Sequence, residues 1–89
     1  MNVPFEITSG PGQSYLMRNV SGQTVDLVTV TVDHPEGLTR DLPSEETFGP
    51  GASKKFLVLA TWQTGRPVEV LVSWDVHPTP YALPLPPKN

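Results

Sequence analysis

Residues Thr47 to Trp62, TFGPGASKKFLVLATW, decide the fold. Gly49-Pro50-Gly51 reads as a type II turn, because Pro50 presets φ at the second position and Gly51 tolerates the positive φ that the third position requires. The strand that follows is thereby pinned in register. Phe56, Val58, Ala60 and Trp62 alternate with Lys55, Leu57, Leu59 and Thr61, giving one continuous apolar row of the kind a β-sandwich buries. The opposite face is mixed.

Working outward, Pro67 to Asp75 (PVEVLVSWD) alternates Val68, Val70, Val72 and Trp74 against Glu69, Leu71, Ser73 and Asp75 and reads as a second core strand, reached through the turn Gln63-Thr64-Gly65-Arg66. On the N-terminal side, the HPEGLTRDLPSEE stretch (34–46) holds two prolines, a glycine and five charges. Such a segment has room for one short edge strand around Leu38 to Leu42. Thr24 to Asp33 is the most β-branched part of the chain, but its apolar parity shifts. Val25 and Leu27 are odd, whereas Val28, Val30 and Val32 are even, and an extra residue near Leu27-Val28, a β-bulge, reconciles the two sets. Ser14 to Asn19 reads as a strand closed by the turn Asn19-Val20-Ser21-Gly22. A first strand carries Val3, Phe5 and Ile7 on one face, with Pro4 marking an edge or a strand start. No segment of helical period appears. Phe56, Val58, Val70, Val72 and Val30 form the expected core, and the parity of Trp62 and Trp74 with these valines favours burial or a lid at the strand end over an exposed carbohydrate-binding platform.

The C-terminal stretch HPTPYALPLPPKN (77–89) changes character, with five prolines in 13 residues. As polyproline II it would reach about 40 Å, at roughly 3.1 Å per residue. Either it adds a strand around Tyr81 to Leu83 or it is an arm held by a partner. The arm is the expectation, dividing the chain into a sandwich over 1–76 and a Pro-rich arm over 77–89. Pro84-Leu85-Pro86-Pro87-Lys88 has the outline of a PxxP ligand, but nothing in the chain points to a eukaryotic host, and an arm lying across the domain or a neighbour fits better.

Eighty-nine residues make one small domain that buries roughly two thirds of its unfolded surface. Six Lys and Arg against nine Asp and Glu, net charge −3, argue against a nucleic-acid surface, which needs clustered cations. The absence of cysteine removes disulfides and thiolate metal sites and points to a reducing compartment. No run approaches the roughly 18 apolar residues of a membrane helix, and MNVPFEITSG lacks the basic and apolar regions of an export signal. The expectation is a chain that stays in the cytoplasm or is built into something assembled there.

Motifs for chemistry are sparse. Asp33-His34-Pro35 and Asp75-Val76-His77-Pro78 place each histidine near an aspartate and before a proline, and together could supply metal ligands. The simpler reading is ordinary strand ends, since a residue before proline is pushed to an extended conformation. No serine lies in a nucleophile elbow. Glu45-Glu46 point to opposite faces if extended, the wrong geometry for acid and base work on one bond. Gly49-Pro50-Gly51 precedes a strand and offers no helix N-terminus to a phosphate. The expectation is a protein that is not an enzyme and takes no cofactor or metal. Leu57, Leu59 and Leu71 share the outward parity of their strands and mark a contact face. Tyr81, Leu83 and Leu85 add apolar anchors on the arm.

Asn19-Val20-Ser21-Gly22, then Val25 to Val32, then Phe48-Gly49-Pro50-Gly51-Ala52-Ser53 leading into Phe56-Leu57-Val58, together resemble the immunoglobulin-like and fibronectin-like sandwiches of bacterial and phage proteins. The resemblance covers most of Ser14 to Asp75. It implies an all-β, immunoglobulin-like antiparallel β-sandwich of about seven short strands, and it is specific for architecture rather than function. With the lone sandwich and the arm, the expected role is a small structural or capsid decoration protein of a phage virion that binds a protein partner. A cytoplasmic bacterial adaptor domain is the alternative.

Overall fold

In the computed structural model, which describes residues 3–35 and 37–87, the chain is all-β. Its strands are β1 (Phe5–Ser9), β2 (Ser14–Asn19), β3 (Val25–Thr31), β4 (Thr39–Arg40), β5 (Glu46–Phe48), β6 (Ser53–Val58), β7 (Glu69–Trp74) and β8 (His77–Pro84). They form two antiparallel four-stranded sheets, in the orders β1-β2-β6-β4 and β5-β3-β7-β8. Eight strands replace the expected seven or so. The 34–46 stretch holds β4 where one edge strand was expected, and β5 is a further strand running from its end to just before the Gly49-Pro50-Gly51 turn.

The anchoring turn forms as its residues dictate. Ala52 N–H donates to the Gly49 carbonyl at 3.0 Å, and Gly51 takes φ +76°. From it β6 runs beside β2, pairing Tyr15 with Phe56 and Leu16 with Lys55. The parity break in β3 is a bulge: its register against β5 shifts between Val25 and Val28. Leu27 absorbs the extra residue in the left-handed region (φ +56°) with its side chain exposed, so Val25, Val28 and Val30 all turn inward.

Between the sheets lie Phe5, Tyr15, Met17, Val25, Val28, Val30, Phe48, Phe56, Val58, Val70, Val72 and Trp74, all buried. The five core residues expected from the sequence are among them. Phe5 packs edge-on against Phe48 and Trp74, with ring centroids 5.5 and 5.8 Å apart, tying β1 to both β5 and β7. Val68, expected in the same row, is exposed because β7 begins one residue after it.

The C-terminal stretch departs from the expected arm. Over His77–Pro84 it is the edge strand of the second sheet, with Val70 opposite Leu83 and Val72 opposite Tyr81. Its prolines are compatible with pairing because the edge leaves one side without partners. Leu85 N–H donates to the Val68 carbonyl at 2.9 Å, so by alternation Leu83 and Tyr81 also direct their backbone groups at β7. Pro84, of opposite parity, turns its donorless nitrogen to the open edge. Pro78 and Pro80 lie where the strand bulges between the partners of Val72 and Trp74.

Candidate functional site

The residues expected to meet a partner do not assemble into one outward patch. Tyr81, Leu83 and Leu85 are partly buried and pack against the core. Leu57, Leu59 and Leu71 are half-buried, Leu57 and Leu71 on the outer faces of different sheets. Leu59 is held where the chain leaves β6: its N–H donates to the Leu38 carbonyl at 2.7 Å, and its carbonyl accepts from Nε2 of His34 at 2.6 Å.

The exposed large apolar side chains are others, and the loop ends carry four of them. Val20 and Val76 lie at the end where β2 and β7 stop, and Trp62 and Val68 lie on the β6–β7 connection at the opposite end. Trp62 is the extreme case, 91% exposed. This reverses the burial expected from strand parity, for a definable reason. The β6 ladder stops at Val58; Leu59 then bonds to Leu38, and Ala60 N–H donates to the Gln13 side-chain carbonyl at 2.6 Å. The chain is led away from the sheet before Trp62 is reached.

Threonine chemistry closes the loop that holds it. Thr64 N–H donates to the Thr61 hydroxyl (3.1 Å), Thr61 N–H to the Thr64 hydroxyl (3.2 Å), and the two hydroxyls lie 2.9 Å apart. Gly65 N–H closes on the Thr61 carbonyl at 2.8 Å with φ +67°, a left-handed position open to glycine without strain. Trp62 therefore stands at the tip of a turn tied four times across its base. A signal for this was present in the sequence: threonines flanking a Gly-terminated turn are loop-closing residues, and they should have ended the strand reading earlier.

At the same end of the sandwich, Asp33, Pro67, Val68 and Glu69 line a cleft of about 330 Å³. Two carboxylates thus flank the exposed Val68. At the far end a second cleft of about 240 Å³ lies among Pro4, Ser21, Gln23, Thr24, Val25, Trp74, Asp75 and Val76. Its floor includes buried Trp74, which stacks on His77 with centroids 4.9 Å apart.

The two Asp/His pairs do not converge. His34 bonds to Leu59 at one end of the sandwich and His77 stacks on Trp74 at the other. Among the described residues no three His, Cys, Asp or Glu side chains group as metal ligands. Glu46 is engaged in an ion pair with Lys54 across β5 and β6. Burial raises the Tyr15 phenol above its ordinary value of 10.0, with the positive charge of Arg66 opposing the shift. No family model, curated protein or solved structure compared with the chain matches it.

Proposed function

We propose that this chain is an immunoglobulin-like binding module that engages a protein partner through the Trp62 end of its sandwich. The fold reading is supported by strand order. Read as A to G, β1-β2-β6-β4 corresponds to the A-B-E-D sheet of a constant-type immunoglobulin domain and β3-β7-β8 to its C-F-G sheet, with β5 added beside β3. The loops at one end of such a sandwich are its natural contact surface.

The observation that carries the binding reading is the 91% exposure of Trp62 on a hydrogen-bonded turn. An indole buries about 150 to 250 Å² when covered, and tryptophan is among the residues that dominate interface energetics, each contributing about 2 kcal/mol or more at a hot spot. Because the turn is already ordered, docking it loses little conformational entropy. The partner surface that fits is an apolar pocket for the indole, with a cationic rim to meet Asp33 and Glu69 around Val68.

In its narrower form the reading is a small structural or decoration protein of a virion, docking on a capsid through this end. The test is co-sedimentation of the chain with purified particles encoded by the same genome. Retention of the native chain and its loss in Trp62→Ala, with unfolding unchanged, is the expected result. Native chain that stays in the supernatant contradicts the virion form, and equal retention of both chains contradicts the Trp62 contact.

A further inference from the structure

Each sheet has two outer strands, and three of the four edges are poor templates for another strand. The β4 strand has two residues and β5 has three, too short to hold a ladder. The β8 edge is interrupted by Pro78, Pro80 and Pro84, the last with its donorless nitrogen facing outward.

The β1 strand differs. Val20 N–H donates to the Pro4 carbonyl at 2.8 Å and Gly10 N–H to the Ser14 carbonyl at 3.0 Å, so the even-numbered positions of this segment face β2. By alternation, the N–H and C=O groups of Phe5 and Ile7 point to the open side of the sheet. Pro4 has even parity, so its missing N–H does not interrupt that outer row. Neither Glu6 nor Thr8, whose side chains lie on the exposed outer face, projects a positive charge or a proline that would guard the edge.

We propose that β1 pairs antiparallel with β1 of a second copy of this chain, centred on Ile7 against Ile7, to join two sheets into one of eight strands. A twofold interface of this kind must complement itself. Registers centred on Phe5, Glu6 or Ile7 set outward-facing positions opposite one another, and the one centred on Phe5 runs past the start of β1 to Val3. The one centred on Glu6 sets two Glu6 carboxylates directly opposite, a destabilising like-charge pair. The one centred on Ile7 gives a reciprocal pair of Ile7 hydrogen bonds and places Glu6 opposite Thr8 twice, with no charge opposed. It also covers the half-buried Ile7 side chain with its own copy on the inner face. The contact is small against the roughly 1,200 Å² of a stable interface. The dimer is accordingly weak, with a dissociation constant on the order of 100 μM.

Thr8 reads the register without touching the core. Sedimentation equilibrium of the full chain, from about 10 μM to 1 mM to bracket that constant, should show reversible monomer and dimer. Thr8→Lys, facing Glu6 twice, should tighten the dimer by about three- to tenfold, and Thr8→Glu should weaken it by a similar factor. Ile7→Pro, which removes the central outward donor, should leave a monomer. Should that variant fail to fold, the Thr8 pair carries the test alone. A native chain that stays monomeric throughout, or a dimer whose constant is indifferent to the charge at position 8, overturns the proposal.

Discussion

The Asn19 side-chain amide donates to the Phe48 carbonyl at 3.0 Å, joining the end of β2 in one sheet to the end of β5 in the other. The same nitrogen donates to the carbonyls of Gln23 (2.6 Å) and Gly49 (3.0 Å), and Oδ1 accepts from the backbone and hydroxyl of Ser21 at 2.9 and 2.7 Å. Asn19 is fully buried, so these bonds replace water for a side chain and three carbonyls together. Replacing it by Ala removes the tie to the Phe48 carbonyl and the acceptor of the Ser21 N–H and hydroxyl, while the Gly49 carbonyl keeps Ala52 N–H and the Gln23 carbonyl keeps the Ser21 hydroxyl, and should cost about 2 to 4 kcal/mol in urea unfolding. An unchanged midpoint would show that the groups it leaves find other partners.

Gly51 gives a second test at the turn that organises the chain. A Cβ there would meet only the Arg18 Nη2 atom, at 3.9 Å, so any loss reports backbone strain at φ +76° rather than a clash. Gly51→Ala should destabilise by more than about 1 kcal/mol. Gly49, with an ordinary φ and open space around it, serves as the control: Gly49→Ala should be neutral or slightly stabilising.

These two sites mark what the sequence could convey. The Gly49-Pro50-Gly51 turn, the bulge at Leu27 and the inward rows of β6 and β7 were legible because each is a local matter of φ or of period two. The fates of Trp62 and the C-terminal stretch were not, because distant groups decide them. Trp62 is displaced by hydrogen bonds that Leu38 and Gln13 make with Leu59 and Ala60. The prolines of β8 are admitted because β8 is an edge of its sheet and bulges where Pro78 and Pro80 lie.

That placement of β8 makes truncation informative. Removing residues 78–89 strips Tyr81, Leu83 and Leu85 from the flank of the core and exposes Val70 and Val72, which are fully buried. Circular dichroism of the truncated chain should show loss of cooperative unfolding. A truncated chain that keeps the native melting temperature would contradict β8 as part of the sandwich.

Tyr15 should make the fold sensitive to alkali. Its folded pKa is raised above the ordinary 10.0 by burial, so the protonated phenol is favoured in the native state. The unfolded chain then releases this proton first. The contribution is fully present below pH 10.0 and is lost as pH rises toward and through the folded value. Phenolate absorbance should show a component ionising above pH 10.0, and Tyr15→Phe should remove that component. A titration that Tyr15→Phe leaves without loss of a late component would contradict the burial of this ring.

The central claim, that Trp62 is the contact, is tested most directly by its own fluorescence. Trp74 is buried and Trp62 exposed, so Trp74→Phe leaves the loop-tip indole as the sole tryptophan reporter. Added to particles or protein that retain the chain, Trp62 should shift its emission to the blue and lose access to acrylamide, as an indole leaving water does. Retention of the chain with emission and quenching unchanged would contradict the account.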